Sequence, residues 1–340
     1  MNAFVLVKHS DGPQAFELRE LDDPEPGKGE ARIAVDTFGL NFADVMASLG
    51  LYRDAPPLPA VLGYDVVGRI DKLGIGLKGF REGMRVVAMT RFGGYATEAI
   101  ATSNGMCEIP DDFDAASATA LSTQFVTAWY AAKEMICLQA GDRVLIHAAA
   151  GGVGGALVQI AKQSGCTVFG TTGSAWKMKH LEELGVDYPL CTAAQDFEKA
   201  YRSADGTKPL DVIFDSIGGA SVRKGLRLLG SGGRLVSYGV ADMMGGAHNL
   251  PRSLRTILSF GFPHPVFLLM QSKSLIGVNM LRIADDRPDI IRRCLKEVVA
   301  RGVKGDLRPV VDKALSSCEF ARGFESLRKR ETAGKVTVHW

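Results

Sequence analysis

The sequence lacks the patterns that mark disulfide-stabilised, metal-rich or membrane-spanning proteins. Its 6 cysteines are scattered, and none stands in a C-x-x-C pair. Without such pairs, and without a signal-peptide pattern at the start, we expect reduced cysteines in a cytoplasmic protein. The densest apolar run, Val266 to Met270, is far shorter than the roughly 18 residues that a membrane-spanning helix needs.

The chain also lacks an excess of charge of either sign. Its 40 basic and 38 acidic residues give a formal net charge of +2. A balance this close to zero provides no strong field toward nucleic acid or an anionic membrane, so we expect neither as the main partner. The 340 residues, 46% of them hydrophobic, exceed the size at which one core keeps growing, and two domains are expected.

The most informative stretch is a glycine-rich turn between two apolar runs. Val144 to Ile146 leads into the turn, and the helix-like segment Gly155 to Gln163 separates it from the second run, Thr167 to Phe169. A strand, tight turn, helix and strand in this order are the context of a dinucleotide-binding turn, whereas a lone glycine-rich turn is often only structural. A helix N-terminus offers unpaired N–H groups and a positive dipole end to a pyrophosphate.

The turn departs from the G-x-G-x-x-G pattern at one position. Ala149 replaces the first glycine, while Gly151 and Gly154 are kept. Gly154 allows the helix to pack closely on the sheet. The predicted phosphate-binding residues are Ala150, Gly151, Gly152 and Val153.

The two halves of the chain differ in the period of their hydrophobic pattern. Residues 1 to about 120 hold short strand candidates separated by glycine and proline, such as Ala31 to Phe38, which alternates apolar and polar residues. From about Ser122, strands alternate with helices as far as the strand candidate Leu275 to Val278, a pattern typical of a doubly wound parallel sheet. The predicted fold class is α/β, with a barrel-like β-rich module and a doubly wound module.

Five motifs carry a resemblance to a known family. They are GLNFADVMASLGLY at 39–52, PPLPAVLGYDVVG at 56–68, HAAAGGVGGALVQIAK at 147–162, FDSIGGASVRKGLRLLGSGGRLVSYGVAD at 214–242 and AGKVTV at 333–338. The chain resembles the quinone oxidoreductase branch of the medium-chain dehydrogenase/reductase superfamily, and within it the vesicle amine transport protein-like group. The resemblance implies a GroES-like domain at 1–123 and 280–340, a Rossmann domain at 124–279 and a homodimer.

The resemblance also implies where a catalytic zinc would be bound, and the residues there differ. Asn41 stands at a cysteine ligand position, and Tyr64 and Asp65 stand where a histidine and a glutamate are expected. Because catalytic zinc needs about three protein ligands, we expect no metal. His147 and His180 are interpreted as surface or turn residues.

The absence of these ligands favours a particular reaction. Hydride removal from a simple alcohol depends on a Lewis acid. Hydride added to a quinone or enone instead yields a delocalised charge that hydrogen bonds can stabilise. The sequence therefore predicts zinc-independent reduction of a conjugated acceptor.

The segment after the second Rossmann strand indicates which nicotinamide is used. NAD-specific folds place an acidic residue there, which would repel a 2′-phosphate. No carboxylate stands at this point, and the resemblance assigns Gly173, Ser174 and Lys177 to the 2′-phosphate, with Arg330 as a second possible cation. Thr192 stands where relatives often have a tyrosine. NADPH is predicted, although Lys177 could also lie on a solvated helix face.

Further cofactor contacts are implied by position alone. Tyr130 resembles a tyrosine near the nicotinamide, and can equally be a packed core residue. The remaining positions, which follow the later strands, are Ser216, Val240, Ala241 and Asn279.

Three residues are the candidate catalytic groups, namely Asn41, Asp44 and Tyr52. The Asn41 amide can donate and accept hydrogen bonds, toward the cofactor ribose or a carbonyl oxygen. Tyr52 can donate to a developing oxyanion, whereas Asp44 has helix capping or a salt bridge as an alternative role. Met46 replaces a second tyrosine of relatives.

Two other functions stay open. One is an enoyl-thioester or alkenal reductase, and the other is a nucleotide-binding structural or trafficking protein with weak turnover. The aromatic-rich segment Met243 to Ser272 could cover the pocket, form dimer surface or meet a lipid, and packing is its safest interpretation.

Overall fold

The structure, a computed structural model, describes residues 1–205, 208–241, 258–261 and 264–340. Within these residues the chain forms two compact units. Unit 1 comprises Met1–Val126 and Met280–Trp340, and unit 2 comprises Thr127–Asn279. Most of the segment Met243 to Ser272 lies outside the described residues.

The described strands are distributed over both units. They are β1 (Asn2–Leu6), β2 (Phe16–Glu20), β3 (Glu30–Leu40), β4 (Ala60–Val61), β5 (Asp65–Leu73), β6 (Arg85–Met89), β7 (Glu98–Thr102), β8 (Met106–Glu108), β9 (Arg143–Ile146), β10 (Thr167–Thr172), β11 (Tyr188–Cys191), β12 (Leu210–Asp215), β13 (Leu229–Ser237), β14 (Ser274–Gly277), β15 (Val311–Ser316) and β16 (Lys335–His339).

The helices whose bounds are described follow the same chain order. They are α1 (Phe42–Ser48), α2 (Ala115–Ala120), α3 (Val126–Trp129), α4 (Gly152–Gln163), α5 (Met178–Glu183), α6 (Phe197–Ala204), α7 (Ala220–Leu228), α8 (Pro265–Gln271), α9 (Met280–Asp286), α10 (Pro288–Val303) and α11 (Phe320–Arg328). Two π-helical turns also occur, at Leu121–Phe125 and Tyr130–Met135. No helix of the described ranges is both long and apolar enough to cross a bilayer.

Unit 1 is built on a seven-stranded sheet of order β15-β16-β3-β5-β6-β8, with β7 also paired to β3, and a three-stranded sheet of order β2-β1-β4. In β3, Ile33 and Val35 are buried while Asp36 is exposed, as the alternating pattern predicts. The C-terminal strand β16 pairs antiparallel with β3 and so returns to the first part of the chain.

Aromatic packing joins the two ends of unit 1. The rings of Phe4 and Phe320 stack with centroids 4.0 Å apart, and Phe4 and Trp340 stack at 5.3 Å. The Trp340 indole N–H also donates to the carbonyl of Ala96 at 3.0 Å, which satisfies its polar atom. Stacked aromatic pairs stabilise beyond their buried area, so the C-terminal segment is an integral part of this unit.

Unit 2 contains a six-stranded sheet of order β11-β10-β9-β12-β13-β14 in which all neighbours are parallel. Numbered within the unit, this order is 3-2-1-4-5-6, that of a dinucleotide-binding Rossmann fold. The core of β9 is fully buried, because helices cover both faces of such a sheet. The predicted α/β class, with its doubly wound sheet, is confirmed.

Candidate functional site

The glycine-rich turn lies where the strand order of unit 2 reverses. β9 pairs with β10 on one side and with β12 on the other, so the carboxyl end of β9 borders the switch point at which such sheets bind ligands. α4 begins at Gly152 directly after the turn, its N-cap Gly151 has no side-chain cap, and no acidic residue occupies its first turn. The unpaired N–H groups of this helix end remain available to an anion.

Glycine is required at one position of this turn. A Cβ added at Gly154 would lie 2.3 Å from the Ala148 carbonyl oxygen and 2.7 Å from the Ala149 Cα, both backbone atoms that cannot yield easily. Ala149, which replaces the first glycine of the pattern, is fully buried and donates its N–H to the Thr171 carbonyl at 2.9 Å. The turn thus keeps close helix packing with alanine at the first position.

The residues predicted to bind the 2′-phosphate follow the end of β10. The threonines at 171 and 172 are buried, and Gly173 has open space around its Cα. The Lys177 side chain is buried, with its Nζ 5.0 Å from the centre of the Trp176 ring. Thr192, at the position of the family tyrosine, hydrogen-bonds the Thr172 carbonyl through its N–H at 2.8 Å and its hydroxyl at 3.1 Å. Thr192 therefore supports the strand end.

The other predicted cofactor residues of unit 2 follow the same edge of the sheet. Ser216 follows β12, and its carbonyl accepts the N–H of Ala241 at 3.2 Å. Val240 is partly exposed beside Ala241, and Asn279 lies two residues after β14. The structure brings these strand ends together because parallel strands all end at one edge.

Two of the predicted cofactor contacts, Tyr130 and Arg330, do not follow a strand of the unit 2 sheet. Tyr130 is buried and begins a π-helical turn, a local geometry often found at functional sites. Arg330 belongs to unit 1, has a left-handed backbone with φ 59°, and places its guanidinium 5.6 Å from the Phe42 ring. Their roles toward the cofactor stay predictions.

His147 lies in the turn that follows β9, one of the two places that the sequence interpretation allowed, and it is buried there and not at the surface. It is 2% exposed, its Nδ1 lies 3.2 Å from the Thr171 hydroxyl, and its ring packs edge-on against Phe197. Burial lowers the pKa of this imidazole, because the charged form loses its hydration. The residue follows a fully buried strand, which carries it into the core.

Unit 1 contains a buried polar cluster around Asn41. The Asn41 amide donates to the Asp65 carboxylate at 2.6 Å, and its carbonyl oxygen accepts from the Lys335 ammonium at 2.8 Å. Lys335 also bonds directly to Asp65, and the side chains of both are fully buried. The amide of Asn41 is therefore held at both ends by neighbours in the protein.

Gly39 makes room for the buried ammonium. A Cβ at this position would lie 2.3 Å from the Lys335 Cε and 2.5 Å from its Nζ, so a larger residue would displace the lysine. Ser122 approaches the same Asp65 carboxylate at 3.5 Å. Three segments that are distant in sequence, β3, β5 and β16, meet at this point.

This donor set does not fit a zinc ion. It consists of one carboxylate and one amide with an ammonium already between them, and a divalent cation would repel that ammonium. Over the described ranges, no three His, Cys, Asp or Glu side chains lie close enough together to hold a metal. The cationic centre of this region is the side chain of Lys335.

Asp44 lies next to this cluster and is fully buried. It is the third residue of α1, and its carboxyl accepts the N–H of Asn41 at 2.9 Å and of Gly63 at 3.2 Å. The capping role that the sequence left open is thus observed, because Asn41 and Asp44 form a capping box. Burial raises the pKa of Asp44 to about 7, since the carboxylate form loses its hydration.

Two tyrosines beside Asp44 have hydroxyl groups that lack ordinary partners. The Tyr95 hydroxyl faces the Asp44 carboxyl, and the Tyr64 hydroxyl faces that of Tyr52. Neither makes a contact of hydrogen-bond geometry with any described residue, although both atoms are buried. Such groups need an explanation because an unpaired buried hydroxyl is costly.

Tyr52 connects this region to its more exposed surroundings. It is partly buried, and its ring packs edge-on against Tyr64 with centroids 6.4 Å apart. Burial raises the pKa of both phenols, which keeps them protonated near neutrality. Nearby, Asp54 pairs with Arg282 at 2.5 Å. A protonated phenol can donate one hydrogen bond to an acceptor oxygen.

Sequence reasoning misses three members of this region. Lys335 is noticed in the sequence only as part of the motif AGKVTV, and Tyr64 and Asp65 are noticed only as positions at which zinc ligands are absent. A lysine in the apolar strand sequence AGKVTV is the one available signal, because a buried strand lysine needs a carboxylate partner.

Comparisons with known proteins agree with the fold. The alcohol dehydrogenase GroES-like domain family matches residues 27–116, and the zinc-binding dehydrogenase family matches residues 152–296. The synaptic vesicle membrane protein VAT-1 homolog of Homo sapiens is 31% identical over 325 residues, which cover 95% of this chain and 82% of that protein. A 38% identical match over 318 residues covers 93% of this chain and 8% of the pikromycin polyketide synthase component PikAII of Streptomyces venezuelae.

Solved structures support the same assignment. The human synaptic vesicle membrane protein VAT-1 homolog-like protein has a TM-score of 0.85 at 26% identity, covering 100% of this chain and 98% of that chain. The quinone oxidoreductase of Pseudomonas syringae pv. Tomato DC3000 has a TM-score of 0.85 at 23% identity over 100% of both chains, a likeness that shows the fold alone.

A GroES-like unit joined in sequence to a Rossmann unit defines the class of NAD(P)-dependent oxidoreductases. The chain belongs to the medium-chain dehydrogenase/reductase superfamily, and within it is similar to the VAT-1 homologs. The resemblance drawn from the five sequence motifs is therefore confirmed.

Proposed function

We propose that this oxidoreductase uses NADPH to reduce a quinone or another conjugated carbonyl compound without zinc. The observation that carries the proposal is the buried Lys335 ammonium, which bonds to Asn41 and Asp65 where the family resemblance assigns metal ligands. With no metal to polarise a simple alcohol, an acceptor whose negative charge delocalises is the easier substrate.

NADPH as the coenzyme is supported by the residues around β10. No acidic residue occurs between Thr171 and Lys177, so a 2′-phosphate meets no negative charge from this segment. The open Gly173 and the neighbouring Ser174 leave space and a hydroxyl donor there. We propose that Lys177 supplies the compensating positive charge.

We propose a separate role in the reaction for each part of the site. When bound, the reduced nicotinamide supplies a hydride. The N-terminus of α4 binds the pyrophosphate, while Tyr52 donates a proton or a hydrogen bond to the acceptor oxygen. Asn41 holds the start of α1 in place through its capping box with Asp44. The homodimer and cytoplasmic location expected from the sequence stay predictions.

A panel of acceptors tests the proposal directly. The oxidation of NADPH and of NADH is followed by absorbance with several quinones, enones and enoyl thioesters, and zinc is measured in the same sample. We expect faster turnover with NADPH, on at least one quinone or enone, in metal-free protein. Turnover that requires added zinc, or none with any acceptor despite coenzyme binding, would contradict it. The latter result would favour the trafficking alternative.

An enoyl thioester is the second candidate acceptor. The 38% identity to a segment of a polyketide synthase exceeds the 31% identity to the VAT-1 homolog, which favours a conjugated thioester. The chemistry is the same, since hydride adds to the carbon β to the carbonyl. In the panel, a higher kcat/KM for thioesters than for quinones would select this candidate.

A further inference from the structure

We propose that Thr171 and His147 form a positioning pair that holds the backbone of Ala148 in the left-handed conformation from which the phosphate-binding turn begins. This inference rests on the proposed function, because it concerns how the turn is set for the pyrophosphate of the coenzyme. Neither side chain touches the coenzyme in this role. Both act through the backbone of Ala148, which comes shortly before the predicted phosphate-binding residues 150–153.

Ala148 has a backbone conformation that its own side chain disfavours. Its φ is 50°, in the left-handed region. The Cβ of an L-residue then lies too close to the following carbonyl oxygen, so glycine adopts this region far more readily than alanine. The Ala148 side chain is exposed, whereas those of His147 and Ala149 are buried. Packing of its own methyl group therefore does not hold Ala148 in place, and its neighbours must do so.

Hydrogen bonds from the two strands that flank β9 hold this backbone. On the β12 side, the N–H of His147 donates to the Phe214 carbonyl at 3.0 Å. On the β10 side, the N–H of Ala149 donates to the Thr171 carbonyl at 2.9 Å. Between them, the N–H of Ala148 donates to the Thr171 hydroxyl at 3.3 Å. Only this last bond of the three depends on a side chain, so the residue type at position 171 matters to the turn.

His147 fixes the direction of the Thr171 hydroxyl. Its Nδ1 lies 3.2 Å from the hydroxyl oxygen, and both side chains are buried. Whichever atom donates, this contact holds the oxygen beside the Ala148 N–H. The other ring nitrogen, Nε2, is buried without a hydrogen-bond partner among the described residues, which an apolar ring of similar size would avoid. The contact of Nδ1 with Thr171 is therefore the polar interaction that this imidazole provides.

The carbonyl of Ala148 passes this arrangement on to α4. It accepts the N–H of Gly151 at 2.9 Å, and its oxygen is the atom that a Cβ at Gly154 would approach to 2.3 Å. Rotation of Ala148 out of the left-handed region would turn this carbonyl away from the start of α4. A turn and a helix N-terminus bind an anion through N–H groups that converge on it. The conformation of Ala148 therefore sets the affinity for the pyrophosphate, which NADPH and NADH share.

The test measures the dissociation constants of NADPH and NADH by fluorescence titration. Thr171→Val removes the hydroxyl at nearly constant volume and leaves the Ala148 N–H without its partner. We expect both dissociation constants to rise roughly 10-fold, because the loss of one partner of a hydrogen bond changes an equilibrium by about that factor. T171S keeps the hydroxyl and should stay within about 2-fold of the wild type. T167V, at the other end of β10, is the matched control and should change neither constant.

A glycine at position 148 distinguishes positioning from a general loss of structure. Glycine adopts the left-handed region without the Cβ clash, so a turn that carries Ala148→Gly needs the pair much less. In the A148G background, T171V should raise the dissociation constants only about 2-fold, against roughly 10-fold in the wild-type background. A merely structural role of Thr171 predicts the same loss of affinity in both backgrounds.

His147 provides a second and independent comparison. H147F removes Nδ1 and keeps a ring that can pack against Phe197, and it should raise both dissociation constants roughly 3-fold to 10-fold. H147N carries a polar atom close to the position of Nδ1 and should recover most of this loss. If T171V does not fold, these two variants, alone and combined with A148G, give the same test.

Three results would overturn the positioning role. They are wild-type affinity in both T171V and H147F, a loss in T171V that A148G leaves undiminished, and a loss confined to NADPH. A wild type that binds neither coenzyme would overturn the proposed function together with this inference. A wild type that binds NADPH and reduces an acceptor, beside T171V and H147F variants that bind equally well, would remove the positioning pair alone.

Discussion

Replacing Lys335 by methionine tests the buried ammonium on which the metal-free site depends. Methionine retains most of the side-chain volume, so the main loss is the charge that Asp65 and Asn41 contact. Removing one member of a buried ion pair leaves the other charge without compensation and costs about 3–5 kcal/mol of unfolding free energy. We expect K335M and D65N each to show a loss of this order.

A double-mutant cycle separates the interaction energy of Lys335 with Asp65 from the individual contributions of the two side chains. In K335M/D65N no unpaired charge remains, so its unfolding free energy should exceed the value expected from adding both losses by roughly 2–3 kcal/mol. Unfolding in urea is followed by tryptophan fluorescence, since Trp340 lies in the same unit. K313M is the matched control on the neighbouring β15. Its partner Asp312 is 3.9 Å away in a partly exposed pair, and a loss under about 1 kcal/mol is expected.

The stabilising role of the buried pair is refuted if K335M loses no more unfolding free energy than K313M, or if the loss in the double variant equals the sum of the two single losses. The first result would mean that the ammonium is dispensable, and the second that Lys335 and Asp65 do not stabilise each other. The control must unfold in the same transition as the wild type for the comparison to hold.

Three further substitutions test the remaining residues. Lys177→Ala should weaken NADPH binding far more than NADH binding in fluorescence titrations, whereas K179A, at an exposed lysine two residues away, should change neither; equal weakening would remove Lys177 from the phosphate site. Tyr52→Phe should lower kcat by roughly 100-fold or more if the phenol is the proton donor, and full turnover with every accepted quinone would exclude it. Gly154→Ala should destabilise by about 1–3 kcal/mol through overpacking and weaken coenzyme binding, while G155A, whose Cβ would meet Leu184 at an ordinary 3.7 Å, should be tolerated; similar effects of both would contradict the close approach to Ala148.

Element boundaries show how far the sequence pattern reaches. The predicted helix at 155–163 is observed as Gly152–Gln163, and the predicted strand at 275–278 as Ser274–Gly277. The pattern misses strand Tyr188–Cys191 because it is short, lies at the edge of the sheet and buries only Leu190 fully. An edge strand has a weaker hydrophobic signal than a central strand.

The sequence by itself determined the dinucleotide-binding unit of this protein. Its strand, turn and helix follow one another within about thirty residues, and their periods and glycines are set by local sterics and by burial on one face. For the same reason, the amino-acid order alone shows that no carboxylate follows β10. The sequence is sufficient to predict a site wherever residues that are neighbours in the chain form that site.

Only the tertiary structure decided what surrounds Asn41 and Asp44. Lys335 is 294 residues from Asn41 and 270 from Asp65, and no period links them. Sheet pairing of β16 with β3 brings the ammonium to its partners, and the absence of a Cβ at Gly39 leaves room for it. The burial of Asp44, and with it the raised pKa of its carboxyl group, depends on how much protein surrounds it, which local sequence does not encode.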